Sequence, residues 1–280
     1  MKTLNVLSLF DHSGQWSQPY WDAGHNVISV DIKEGADVVC SVSDFDCEFL
    51  IDLVYESGAF GANTTNGGVD VILAAPPCTD FASSGAQYWG VKDEDGRTAL
   101  AAHLLLQTLR TIEFLKPQVW AIENPVGRLN KLFPGLDAYG PWYWQPHWFG
   151  DAYTKKTGLW GSFSRDLVRN DVEPVKACDA GSWLMQLGGS SAKTKELRSV
   201  TPAGFAQAFY QANSDLPEID DSYYDDYPEI SVGMSDDLAA QVNAIECPEP
   251  VLVDTLQVEI DFEPVVIEYT DQMDLFAEAA

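Results

Sequence analysis

The sequence predicts an α/β fold built on a mostly parallel sheet, and three observations carry that prediction. Short β-branched apolar runs recur at 4–10, 27–31, 69–74 and 119–122, the kind that parallel sheets bury on both faces. Two of them stop in the same way, at Pro76-Pro77-Cys78 and at Glu123-Asn124-Pro125. Proline fixes φ and removes a ladder donor, so each strand must end there. The polar side chains beside the prolines then stand at the carboxyl edge of the sheet, where open α/β folds place their chemistry. Between the two runs, Leu100, Leu104, Leu105, Ile112 and Leu115 form an apolar stripe that predicts a helix over 98–116, stopped by Pro117.

The chain has 280 residues, 46% of them hydrophobic, enough for one sizeable core with small appendages. Its net charge of −27 is uneven: residues 1–214 carry 24 acids and 16 bases, whereas 215–280 carry 19 acids and no Lys or Arg. So acidic a whole argues against nucleic-acid binding, but the split allows a body that binds nucleic acid and a tail that does not. Five Cys without CxxC spacing point to a reducing compartment and away from disulfides or a zinc site. No apolar run has membrane-span length, and residues 1–6 lead straight into a strand, so a cytoplasmic monomer is expected.

In chain order, the first strand at 4–10 leads into Asp11-His-Ser13-Gly14, a tight turn opening a helix whose free N–H groups can face a ligand. The second strand ends in Asp31, either an acceptor for ribose hydroxyls or a turn residue. A short third element at 38–40 is followed by Asp44-Phe45. Residues 79–98, with Gly85, Gly90 and Gly96, read as a mobile loop, and His103 as a helix-face residue. Residues 134–150 read as an ordered aromatic loop region and 159–163 as a further strand. Thr201 before Pro202 fits the N-cap of a last helix over 203–213. Cys78 alone would as readily be a buried structural thiol.

Taken together, these residues resemble the DNA cytosine-5 methyltransferase family, particularly its short bacteriophage type, over residues 4–213. Phe10, Ser13 and Gly14 resemble the first cofactor motif. Asp31 matches the ribose acid, and Asp44 the acid near the adenine amino group. Pro76-Pro77-Cys78 with Phe81 and Gly85 resembles the catalytic motif. Glu123-Asn124 matches the Glu-Asn pair, with Pro125 in place of Val, and 198–208 resembles the final motif. The resemblance implies a Rossmann-like fold dependent on S-adenosyl-L-methionine (SAM). Its catalytic body would be 1–160 plus 198–214, with a much reduced target-recognition segment at 161–197. It implies a SAM pocket from Phe10, Asp11, Ser13, Gly14, Asp31, Ile32, Asp44, Phe45, Pro76 and Ser199. It also implies a DNA site from Pro77, Asn124, Pro125, Gln87, Arg97, Lys156 and Thr157.

The chemistry explains the residue types. Cytosine C5 is a poor nucleophile until a thiolate adds at C6, which calls for Cys78. A carboxyl group must hold a proton at N3 as charge develops, which calls for Glu123 in a closed, desolvated pocket. Cys78 cannot reach a base inside a duplex, so the base must be flipped or single-stranded. The 79–98 segment, with Gln87, Trp89 and Arg97, is either the lid that fills the gap or an ordinary surface loop.

The sequence departs from the pattern at Ala82, where Ser is usual. It departs again at Tyr153-Thr-Lys155-Lys156-Thr157, where the family carries a Gln-x-Arg-x-Arg run. Lys155 is the expected catalytic cation there, with Lys156 as a substitute. Two other readings of the same residues are a cytosine modifier that uses RNA or an altered cofactor such as carboxy-SAM, with Arg198 near its methionine end, and a non-catalytic DNA-binding decoy. Retention of both Cys78 and Glu123 argues against the decoy.

Self-repulsion in the run of acids at 220–227 predicts that 215–280 is a loosely attached, flexible acidic tail, with a hairpin over 251–269 as the counter-reading. Such a tail would screen the body from non-specific DNA. Near its end, Gln272-Met-Asp-Leu275-Phe276 resembles the peptides that dock on the bacterial β sliding clamp.

Overall fold

The computed structural model describes residues 2–56, 60, 68–176, 184 and 197–245. Seven strands form one sheet: β1 (Asn5–Leu9), β2 (Asn26–Asp31), β3 (Val38–Val39), β4 (Val71–Ala74), β5 (Val119–Pro125), β6 (Trp142–Trp144) and β7 (Thr157–Ser162). Their order is β3-β2-β1-β4-β5-β7-β6. β3 to β5 run parallel, while β7 is antiparallel to both β5 and β6. Successive strands leave β1 toward β2 and β3, and the chain then returns to place β4 on the other side of β1. The topological switch point therefore lies between the carboxyl ends of β1 and β4, where open parallel sheets bind ligands.

Alternation along the strands feeds two cores. Leu7, Leu9, Ile72, Ala74, Trp120 and Ile122 face one side. There they meet Ala101, Ala102, Leu105, Leu109 and Ile112 of α4 (Arg97–Leu115). Val6, Val71, Leu73, Val119 and Ala121 face the other side. α6 (Ala203–Asn213) covers that side: Phe205 stacks on Trp144 at 3.6 Å, and Phe209 meets Trp16 edge-on at 5.8 Å. The shorter helices are α1 (Gln18–Asp22), α2 (Cys47–Ile51), α3 (Trp89–Glu94) and α5 (Leu129–Leu132). Among the described residues, no helix is long and apolar enough to cross a membrane.

Four expectations are corrected. The acidic segment is not loosely attached over 215–245. It forms α7 (Asp221–Asp225) and α8 (Asp236–Asn243), and it buries Ile230, Val232, Leu238 and Val242 in the α4-side core. Gly135 makes the seat, because a Cβ there would meet Ser231 O at 2.2 Å. Apolar side chains spaced among the acids outweigh the local repulsion. The 251–269 and 272–276 stretches lie outside the described residues.

Thr201 does not cap α6: the N-cap is Pro202, and the Gly204 N–H is taken by the distant Asp151 carboxylate at 3.0 Å. The 79–98 segment is not an open loop but a 3-10 turn at Ser83–Tyr88 followed by α3. His103, read as a helix-face residue, is buried on α4. The 134–150 region holds a strand, β6, paired to β7.

Candidate active site

β4 and β5 are adjacent and parallel, in register from Val71↔Val119 to Ala74↔Ile122, so their proline-stopped ends emerge side by side. The two ends are laced together. Asn124 Nδ2 donates to Pro76 O at 3.3 Å, Ser83 N to Val126 O at 2.9 Å, and Arg128 N to Phe81 O at 3.0 Å. Gly127 permits the approach, since a Cβ there would lie 1.9 Å from Phe81 O. Asn124 is fully buried, and its Oδ1 finds no hydrogen-bond partner among the described residues.

Cys78 stands half-buried on the turn after β4, with Pro76 buried and Pro77 exposed. Its thiol is pushed up to about 11, first by burial and then by the facing Glu123 carboxylate, with a smaller push from Asp80. Lys155 and the residue's own backbone N–H act in the opposite sense. The Glu123 carboxylate is met by Lys155 Nζ at 3.7 Å, with side chains 13% and 19% exposed. A thiol, a carboxyl group and an amine thus converge where β4, β5 and the entry to β7 meet.

Lys155 is held through its backbone on both sides. Its N–H donates to Gln145 Oε1 at 2.9 Å, and its carbonyl accepts from Thr157 Oγ1 at 3.0 Å. Pairing of Pro125 with Thr157 sets β7 beside the Glu123 end of β5. Of the DNA contacts expected at 156 and 157, Lys156 is exposed, with Nζ 4.4 Å from the Tyr143 ring centroid, and Thr157 is fully buried with its hydroxyl engaged. Arg97 is exposed and tied to Asp95, with Nη2 at 2.6 Å, rather than turned toward Cys78. Gln87 is exposed on the 3-10 turn, and Pro125 is half-buried.

A second group of expected residues gathers at the ends of β1, β2 and β3. Phe10 continues β1 at φ +59°, with its N–H on Val30 O at 2.7 Å, and packs on the α4-side core. Gly14 has φ +65°, a value that favours glycine, and no heavy atom lies within 4 Å of a Cβ placed there. Asp31 accepts one N–H on each oxygen, from His12 at 3.2 Å and Lys33 at 3.0 Å, which leaves further acceptor capacity. Next to it Ile32 is 71% exposed. An open apolar side chain beside a carboxylate at a strand end suits a nucleoside, with the base on Ile32 and ribose hydroxyls on Asp31.

Asp44 ends a 3-10 turn after β3 and accepts from Ser43 Oγ at 3.1 Å; Phe45 is buried against Phe49. Ser199 is exposed ahead of α6. Asp11 is buried, and its carboxylate accepts from Ser8 Oγ at 2.7 Å, Ser17 Oγ at 2.9 Å and Ser13 Oγ at 3.3 Å, so its side chain builds the turn. Burial pushes the Asp11 carboxyl up, against those hydrogen bonds.

Sequence reasoning missed Gln145, Lys92 and Arg128, which hold the site from outside. Arg128, directly after Gly127 and the β5 end, was the nearest to a visible signal. No cluster of ligating side chains for a metal occurs among the described residues.

Residues 48–132, which include both strand ends, match the model of the C-5 cytosine-specific DNA methylase family. No curated protein matches the chain. Among solved structures, the chain is similar to an E. coli prophage-encoded protein described as a DNA modification methyltransferase. That likeness has 20% identity over 62% of this chain and 53% of the other, with a TM-score of 0.41. It is also similar to the Entamoeba histolytica methyltransferase EhMeth (14% identity, 69% and 62% covered, TM-score 0.39) and to a Spodoptera frugiperda DNMT2 mutant (16%, 68% and 61%, 0.38). The chain thus spans between 53% and 62% of the length of these proteins. Likeness at this level identifies neither substrate nor reaction.

Proposed function

We propose that this chain transfers a methyl group from SAM to C5 of cytosine in DNA, with Cys78 as nucleophile and Glu123 as the acid at N3. The observation that carries this reading is the convergence of Cys78, Glu123 and Lys155 at the ends of β4, β5 and β7, with Cys78 and Glu123 inside the 48–132 stretch that matches the family model. The residues around Asp31 and Ile32 fit the nucleoside part of SAM. Phe10 and Asp44 border the same edge, and Gly14 leaves the turn open for close approach. When bound, SAM supplies the methyl group as an electrophile on a sulfonium.

The protein's own part is as follows. Cys78 Sγ loses its proton to solvent and bonds to C6, while the C5=C6 electron pair is drawn into the ring and N3 takes a proton held by Glu123. C5 is then electron-rich. After methylation the C5 proton leaves to a solvent base, breaking the Sγ–C6 bond restores the thiolate, and N3 returns its proton to the Glu123 carboxylate. Lys155 steadies Glu123 and opposes its effect on the thiol. A thiol at about 11 is almost wholly protonated at neutral pH, so substrate binding must supply the activation. The half-buried thiol requires a flipped or single-stranded base.

Nucleoside mass analysis of DNA from bacteria expressing the protein tests this. 5-Methylcytosine is expected with the native chain and not with Cys78→Ser; no modification, or modification retained by Cys78→Ser, would overturn it.

The C-terminal peptide Gln272–Phe276 supports a second proposal, docking on a bacterial β sliding clamp. Leu275 and Phe276 would be the apolar anchors and Gln272 the orienting hydrogen-bonder. Affinity of a lone peptide would be roughly micromolar, about −8 kcal/mol. Titration of peptide 266–280 against the clamp should show binding that Leu275→Ala with Phe276→Ala removes; equal behaviour of the two peptides would end the idea.

A further inference from the structure

Every backbone carbonyl of the turn that carries Cys78 has a donor. Cys78 O accepts from Phe81 N at 3.0 Å and Ala82 N at 2.9 Å, and Phe81 O accepts from Arg128 N at 3.0 Å. The two carbonyls between are taken by cations: Thr79 O by Lys92 Nζ at 2.6 Å, and Asp80 O by Arg128 Nε at 3.1 Å. Both cations are buried, at 5% and 6% exposure.

Each is also neutralised. Lys92 Nζ lies 3.1 Å from the Asp80 carboxylate. Arg128 grips Asp93 with Nη1 at 2.8 Å and Nη2 at 2.7 Å, and Nη2 also donates to Thr98 Oγ1 at 2.8 Å. Its guanidinium lies 4.8 Å from the Trp89 ring centroid. Lys92 and Asp93 are neighbours in α3, so α3 holds the turn twice, once directly and once through Arg128.

Ordinary helix packing would use apolar side chains here, because a buried cation is costly unless fully paired. What a buried guanidinium adds is direction: its rigid fork fixes where each acceptor points. We propose that Lys92 and Arg128 are positioning residues that set the Cys78 turn in its working arrangement before nucleic acid binds. This rests on the reading of Cys78 as the nucleophile.

The test is site-resolved alkylation of the full-length protein by iodoacetamide, read by peptide mass spectrometry. It needs neither DNA nor knowledge of the target sequence. The charged groups facing the thiol, Glu123, Lys155 and Asp80, stay in place. In Arg128→Met the turn loosens, the thiol gains water, and Cys78 is expected to alkylate about threefold faster at about pH 8: roughly one unit of acidity gives about tenfold more thiolate, partly offset by its lower nucleophilicity. Cys40, pushed up to about 12 chiefly by burial, is the internal control and should stay slow. Arg128→Lys keeps the charge but loses the fork, so a smaller selective rise is expected.

If Arg128→Met opens Cys40 as well, the fold has loosened and Asp93→Asn decides. The Asp93 side chain is 47% exposed, so this change frees the guanidinium without opening the core. A selective rise at Cys78 supports the proposal; native-like alkylation of Cys78 in both Arg128→Lys and Asp93→Asn overturns it. Failure of the methyl-transfer reading would appear separately, as absence of 5-methylcytosine with the native chain.

Discussion

Replacing Glu123 by Gln should move two rates in opposite directions. The Cys78 thiol stands at about 11, so at pH 8 only about one molecule in a thousand carries the thiolate. Burial is the first cause of that shift and the Glu123 carboxylate the second. Gln keeps the size and removes the charge. Loss of one facing, partly desolvated carboxylate lowers a neighbouring pKa by about one unit, which raises the thiolate fraction about tenfold. A less basic thiolate is a weaker nucleophile, by about threefold per unit, so alkylation of Cys78 by iodoacetamide at pH 8 should rise about threefold. Methyl transfer should fall by about 10²-fold or more, because the acid at N3 is gone. Peptide-resolved alkylation and a methylation assay on the same preparation read both. A fall in both rates would mean that Glu123 merely supports the fold. Unchanged alkylation would mean that Glu123 does not act on the thiol, and the converging site would be wrong.

Lys155→Met should shift alkylation the other way, to slower, since Lys155 opposes the Glu123 effect; faster alkylation would contradict the Lys155–Glu123 geometry. Ending the chain after residue 214 removes Ile230, Val232, Leu238 and Val242 from the core, an upper bound of about 6–10 kcal/mol and comparable to the whole stability of a domain. A chain ending at 214 should therefore fail to fold; melting like that of the native protein would refute this docking. A chain ending at 245 should bind non-specific DNA more tightly at low salt, and unchanged binding would remove the screening role of 246–280. His25 and His103 are held below their usual 6.5 chiefly by burial, so each favours its neutral form in the folded state. Their contribution to stability is complete above about pH 6.5 and is lost as pH falls below it. His25 Nδ1 accepts the Leu4 N–H at 3.1 Å, so His25→Asn, which can still accept there, should show a smaller drop in thermal midpoint from pH 7 to pH 5. An equal drop would exclude His25 as a cause.

The parts of this molecule that were legible in the sequence are those that local chemistry decides. Proline stops marked the ends of β4 and β5, and both ends stand on the same edge because the two strands are parallel neighbours. The bounds of α6 were visible, but its cap was not, since Asp151 arrives from a distant loop. The 79–98 segment read as open because its glycines are local signals, whereas what orders it, Arg128 and the buried Lys92, is tertiary. Residues 215–245 were misread by weighing acids and overlooking the spaced apolar residues that carry the docking. Even there one local signal stood: Ser235 before Asp236 and Asp237 is the N-cap of α8, with Oγ accepting from Leu238 N at 3.3 Å. Lys155 and Lys156 could not be told apart by spacing, because only the pairing of β7 with β5 sends the first inward and leaves the second on Tyr143.

The central claim is that Cys78 bonds to cytosine C6 during turnover. Its most direct measurement is covalent trapping on duplex DNA containing 5-fluorodeoxycytidine in the presence of SAM, where fluorine blocks loss of the C5 substituent and freezes the adduct. The account predicts a stable protein–DNA adduct that maps to the peptide carrying Cys78 and is missing in Cys78→Ser. No adduct with the native chain, or an adduct on another cysteine, would contradict it.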